Sequence, residues 1–97
     1  MDIKVQAVHF KADQKLIDYT EEKVGKLALF NDHIVTAEVF LRLENTTDVE
    51  NKIAEVKLLV PGKELFSKKQ AKSFEEAVDL ASEALRKQVV KEKEKVS

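Results

Sequence analysis

Residues able to do chemistry are few in this 97-residue chain. His9 and His33 are the only imidazoles, and neither has a second His or a carboxylate at a spacing that would complete a ligand set. Cysteine is absent, which removes thiolate nucleophiles, disulfides and Cys-based metal sites. No nucleophile elbow, phosphate-binding loop or glycine-rich dinucleotide turn occurs. The acidic pairs Glu21-Glu22 and Glu75-Glu76 fall on helix positions where solvation and the helix dipole account for them. This inventory argues against an enzyme and implies no cofactor, no metal and no small-molecule substrate.

The ordered cations are more informative. Lys87, Lys91 and Lys95 recur at i, i+4 and i+8, one ladder along a helix flank, with Arg86 beside them. Lys15, Lys23 and Lys26 share a flank with Tyr19, and Lys68, Lys69 and Lys72 precede the second helix as an extension of the ladder. If the two helices are neighbours, both flanks line one groove at a spacing suited to successive phosphates. The same stripes are also what any charge-rich solvated helix shows, and Glu83, Glu92 and Glu94 stand where they can pair with these lysines. The net charge of −1, from 17 basic and 18 acidic residues, supplies no global field toward a polyanion. Residues 1–62 hold 8 basic and 11 acidic side chains, and residues 63–97 hold 9 and 7, so a polyanion site is a local patch.

The elements that must position these lysines follow from periodicity. Residues 2–8 alternate Ile3, Val5 and Ala7 against Lys4 and Gln6, a strand. Asp13 reads as the cap of a helix over 14–29, with Leu16, Ile17, Thr20, Val24, Leu27 and Ala28 on one face. Gly25 inside it costs about 1 kcal/mol relative to Ala, and close packing is one reason to keep it. Asn31-Asp32-His33 marks a loop. A second strand over 34–44 turns Val35, Ala37, Val39, Leu41 and Leu43 to one side. After the polar loop 44–51, a third strand places Ala54, Val56, Leu58 and Val60 inward. Pro61-Gly62 is a type II turn signal and joins it to a lysine-rich edge strand over 63–71. Ser73 and Glu76 form a capping box for a helix over 73–95 whose buried face carries Phe74, Ala77, Val78, Ala81, Leu85 and Val89.

The order β-α-β-β-β-α predicts an α+β two-layer sandwich, a four-stranded sheet with both helices packed on one face. With 43% hydrophobic residues the chain reads as one domain, 1–97, with an ordered core over about 2–92 and a fraying C-terminal helix end. The N-terminus does not read as a signal peptide, and no run approaches the roughly 18 apolar residues of a membrane span. Phe40, Ile53 and Leu59 point to the sheet face away from the helices. That leaves a protein–protein module on that face as the alternative to a polyanion groove.

Three segments, in order along the chain, resemble the ribosome hibernation-promoting factors, also called ribosome-associated inhibitor A (YfiA-type) proteins. These are GKLALFNDHI (25–34), AEVFLRLE (37–44) and SFEEAVDLASEALRKQVVKEKEK (73–95), and the likeness runs over essentially the whole length. The resemblance implies a cytoplasmic ribosome hibernation factor that binds the small ribosomal subunit in the channel used by mRNA and tRNA, contacts ribosomal RNA, and inhibits translation in stationary phase or starvation. It implies no DNA and no membrane as partners. Carried over by position, the RNA-contacting residues are Lys23 and Lys26 on the first helix and Lys87 and Lys91 on the second. Lys95, Arg86, Lys68, Lys69 and Lys72 complete the candidate set. Ala84 stands where relatives often carry Lys, and Lys87 stands where they carry Arg, which keeps the charge but not the bidentate fork. The chain is similar to the family's short form, without the added C-terminal domain of long forms.

Overall fold

Asp13 is extended, and its carboxylate accepts the Leu16 N–H at 2.9 Å, so helix α1 begins at Gln14 and runs to Gly25. The computed structural model describes residues 1–96 apart from 45, 46 and 48, and describes 95 and 96 by backbone only. Strand β1 (Asp2–Val8) precedes α1. Strands β2 (Thr36–Leu43), β3 (Lys52–Val60) and β4 (Lys63–Ala71) follow it, and helix α2 (Phe74–Val96) closes the order. The sheet runs β1-β2-β3-β4, with β1 parallel to β2 and the later pairs antiparallel. Helix α1 is thus the crossover that a parallel pair needs.

Both helices cover one sheet face. Helix α1 rests on β1, α2 lies over β3 and β4, and the two helices touch along their flanks. The shared core comprises Val24 and Leu27, the inward strand residues Ala37, Val39, Leu41, Ala54, Val56 and Leu58, and Ala77, Val78, Ala81, Leu85 and Val89 of α2. The expected α+β sandwich is the observed one. Ser73 Oγ accepts the Glu76 N–H at 3.1 Å and starts α2, as the capping box requires. Gly62, at φ +76°, supplies the left-handed position of the Pro61-Gly62 turn.

Three expectations are corrected in detail. The first helix does not stay α-helical to residue 29, because residues Lys26–Leu29 tighten into a 3₁₀ turn. A Cβ built at Gly25 would sit 3.5 Å from Ile3 Cδ1, ordinary van der Waals contact, so packing does not demand glycine there. The second strand begins at Thr36 rather than 34. Ahead of it the alternation breaks: Ile34 is buried and Val35 is 50% exposed, although Val35 N–H already donates to the Leu59 carbonyl at 2.8 Å. Of the expected loop over 44–51, residues 45, 46 and 48 lie outside the described residues.

Candidate nucleic-acid interface

On α1 the buried stripe Leu16, Thr20 and Val24 fixes the helix rotation, and Tyr19, Lys23 and Lys26 then fall on the flank turned to α2. Thr20 is fully buried at no hydrogen-bonding cost, because its hydroxyl donates to the Leu16 carbonyl at 2.8 Å. Helix α2 is rotated by its own apolar stripe so that Asp79, Glu83 and Arg86 face back. Between the helices lies an open groove of about 460 Å³, lined by Lys23, Lys26, Leu27 and Phe30 from one side and by Asp79, Leu80, Ser82, Glu83 and Arg86 from the other.

The groove is threaded by short polar contacts. The Tyr19 hydroxyl donates to Asp79 Oδ1 at 2.6 Å, and Lys23 Nζ lies 3.6 Å from the same oxygen and 5.7 Å from the Tyr19 ring centre. Hydrogen bonding to Asp79, then burial, then the negative charges of Asp79, Glu75 and Glu22 push the Tyr19 hydroxyl up to about 12. Arg86 Nε donates to Glu83 at 3.1 Å, and its guanidinium carbon stands 5.8 Å from the Phe30 ring centre. That bond holds the Glu83 carboxyl below its ordinary value and raises Arg86. Lys26 is 3.9 Å from Glu22. All three groove cations therefore carry a carboxylate partner. These pairs are exposed and worth little to stability, but an incoming phosphate must compete with each.

The structure does not place every candidate cation in this groove. Lys23, Lys26 and Arg86 line it; Lys87 and Lys91 do not. Gln88 reaches the Phe66 carbonyl of β4 at 3.0 Å and Glu92 pairs with Lys63 at 3.0 Å, so the 88/92 flank of α2 faces the sheet edge. Both are exposed; at 100° per residue Lys87 stands one turn beyond Glu83, whose carboxyl its charge helps to lower, and Lys91 turns further toward solvent. The described part of the expected ladder, Lys87 and Lys91, is an exposed stripe outside the groove lining. Lys68, Lys69 and Lys72 do not extend the groove either. Strand β4 is the edge farthest from β1, on the other side of α2 from α1. Strand alternation sends Lys68, opposite Glu55, to the sheet face away from the helices. Lys69 and Lys72 are exposed at that far edge. The side chain of Lys95 lies outside the described residues.

The sheet's outer face also departs from expectation. Ile53, set between Arg42 and Gln70 in register, is 1% exposed and unavailable to a partner. Leu59 and Phe66 are the exposed apolar residues there, at 42% and 45%. Lys4, Arg42, Lys57 and Lys68 balance Asp2, Glu38, Glu55 and Glu64 across this face, so these residues give it no net charge to steer a polyanion. Among the described residues no three His, Cys, Asp or Glu are grouped to hold a metal ion, and no helix is long and apolar enough to cross a membrane.

Residue types alone hid Tyr19–Asp79, Phe30 and Ser82. Tyr19 and Lys23 stand four apart on one flank, as do Glu75 and Asp79, which is the signal that could have paired the helices.

Comparison with known proteins converges on one group. The Bacillus subtilis protein named ribosome hibernation promotion factor is 32% identical over the full chain, which spans about half (51%) of that relative's length. The Pseudomonas putida ribosome hibernation promoting factor is 27% identical over 98% of this chain and 89% of its own. A ribosomal subunit interface protein from Coxiella burnetii superposes with a TM-score of 0.85 at 20% identity, covering 96% of this chain and 98% of that one, which shows the shared fold. The pattern of the family described as Sigma 54 modulation protein / S30EA ribosomal protein matches residues 3–97, and with that match across nearly every residue the chain belongs to this family.

Proposed function

We propose that this chain is a ribosome hibernation factor that acts without catalysis. It binds the small ribosomal subunit in the channel that mRNA and tRNA use, through contacts with ribosomal RNA, and silences translation in the cytoplasm during stationary phase or starvation. The observation that carries this reading is the family match over residues 3–97, the span that includes both cation-bearing helices. The relatives' names speak of ribosome hibernation and name no reaction.

The mechanism is occupancy. A rigid wedge built on a four-stranded sheet presents Lys23, Lys26 and Arg86 in the groove and Lys87 and Lys91 on the adjoining outward face of α2. Phosphates of ribosomal RNA neutralise these side chains and release condensed counterions. Four to six such contacts correspond to a salt slope of roughly −3 to −5 in log affinity against log salt. While the wedge is seated, mRNA and tRNA have no room.

Co-sedimentation with small subunits at several salt concentrations, beside an in vitro translation assay, tests this. Wild type should pellet and inhibit. The pair Lys87→Glu and Lys91→Glu should abolish pelleting with the circular dichroism spectrum unchanged, and Lys23→Glu with Lys26→Glu should do the same. Wild type that neither pellets nor inhibits refutes the function. A charge-reversed pair that pellets like wild type removes that face from the interface.

A further inference from the structure

We infer that the groove between α1 and α2 is a pocket for an unpaired RNA base with its phosphate, rather than a cradle for duplex backbone. This inference rests on the ribosomal-RNA reading above. A surface that only tracks phosphates needs cations; this one is also apolar. Leu27 lies beneath, and Phe30 and Leu80 stand at the mouth, 36% and 45% exposed. Singly exposed apolar residues are ordinary, but here they share one concavity with three cations. Its volume of about 460 Å³ lies in the range of roughly 300–1,000 Å³ typical of small-ligand sites.

The arrangement of planar groups points the same way. The Arg86 guanidinium sits 5.8 Å from the Phe30 ring centre. An aromatic ring and a guanidinium plane are the two surfaces on which splayed RNA bases stack. A base lying against Phe30, with Arg86 on its edge or face, keeps its flat apolar surfaces off water. Ser82 on the groove lining is 9% exposed and its hydroxyl has no hydrogen-bond partner, an unsatisfied polar group beside the apolar surface. Each groove cation, Lys23, Lys26 and Arg86, has a carboxylate partner in Asp79, Glu22 or Glu83, so a phosphate entering with the base exchanges for one of these weak exposed pairs. A base inside an A-form helix is already stacked on its neighbours and cannot enter. The pocket thus selects loops, bulges and single strands.

Fluorescence anisotropy with a short unstructured RNA and a hairpin duplex of equal length provides the test, read at several salt concentrations. Wild type should bind the single strand more tightly. Phe30→Ala should weaken single-strand binding about tenfold, the scale of one lost base–aromatic stack, with duplex binding and the salt slope unchanged because no phosphate contact is lost. Phe30→Trp should retain wild-type affinity, and thermal melts confirm that each variant is folded. A folded Phe30→Ala that binds the single strand like wild type overturns the inference, as does equal or tighter binding of the duplex. If wild type still pellets with small subunits in either case, the hibernation reading stands and only the base pocket falls. If wild type binds neither ribosomes nor either RNA, both fall.

Discussion

Tyr19 is the sole tyrosine of the chain and tryptophan is absent, so near-ultraviolet absorbance reports one phenol, and that phenol clasps the two helices. Replacing Asp79 by Asn removes the first cause of its raised pKa, the hydrogen bond to a carboxylate, and the nearest negative charge as well. Tyrosinate absorbance should then appear well below the wild-type value of about 12 and close to the ordinary 10.0, with burial, Glu75 and Glu22 still holding it slightly up. The stability consequence has a definite sign. The folded pKa lies above the unfolded one, so this contribution is fully present below about pH 10 and is lost as pH rises through about 12. A hydrogen bond to a charged acceptor contributes about 1.5–3 kcal/mol when well shielded. The Asp79 side chain is 45% exposed, so solvent screening reduces the expected loss to about 1 kcal/mol. For a domain of this size that lowers Tm by about 4–8 °C at neutral pH. The gap between Asp79→Asn and wild type should close in strongly alkaline buffer. A variant whose Tyr19 still titrates at about 12 would show that Asp79 is not the cause. A wild type titrating at the ordinary value would show that the clasp is not held in solution.

Three further perturbations probe the frame around the groove. Gly25→Ala should raise stability by about 0.5–1 kcal/mol, since the added methyl meets Ile3 at an ordinary distance and the helix gains propensity; a lower Tm by calorimetry would mean that Ile3 cannot accommodate it. Ser73→Ala should cost about 1 kcal/mol through the lost cap on Glu76, seen as a lower urea midpoint at unchanged slope. Leu85→Ala, at a fully buried site in the α2 stripe, should cost about 2–5 kcal/mol, and a loss under 1 kcal/mol in urea titration would place Leu85 outside the core.

The fold was legible because its signals are local and agree with one another. Asp13 and Ser73 cap where they should, Pro61-Gly62 turns, and the period-2 runs from Ala37 to Leu41 and from Ala54 to Val60 put their apolar residues on the helix side. Legibility failed where a local rule is overridden by its surroundings. Val35 continues the alternation on paper, but the chain enters the sheet one step later and Ile34 takes the buried place. Ile53 alternates outward and is still covered. The cationic site was half legible: a helical wheel identifies Lys87 and Lys91 as a stripe, but which neighbour that stripe faces depends on where β4 and α1 sit around α2. Arg86, one residue away, is turned 100° toward the groove, a difference that charge spacing alone does not resolve.

The mixed sheet also sets an order of assembly. Strands β2, β3 and β4 meet through short antiparallel connections, and α2 folds back on the strands just before it. Strand β1 is different, because among the described residues it pairs with β2 alone and the whole of α1 must be spanned before Asp2 can meet Thr36. Loop-closure entropy opposes that step until the helix is in place. The β2–β4 meander with α2 is therefore expected to condense first, and β1 with α1 to close over it last and to open first. Native-state hydrogen exchange should then show β1 amides exchanging by a smaller opening than those of β3. Because α1 supplies one wall of the groove, the same opening that frees β1 would dismantle the site, so ligand bound between the helices should slow exchange in a strand it does not touch.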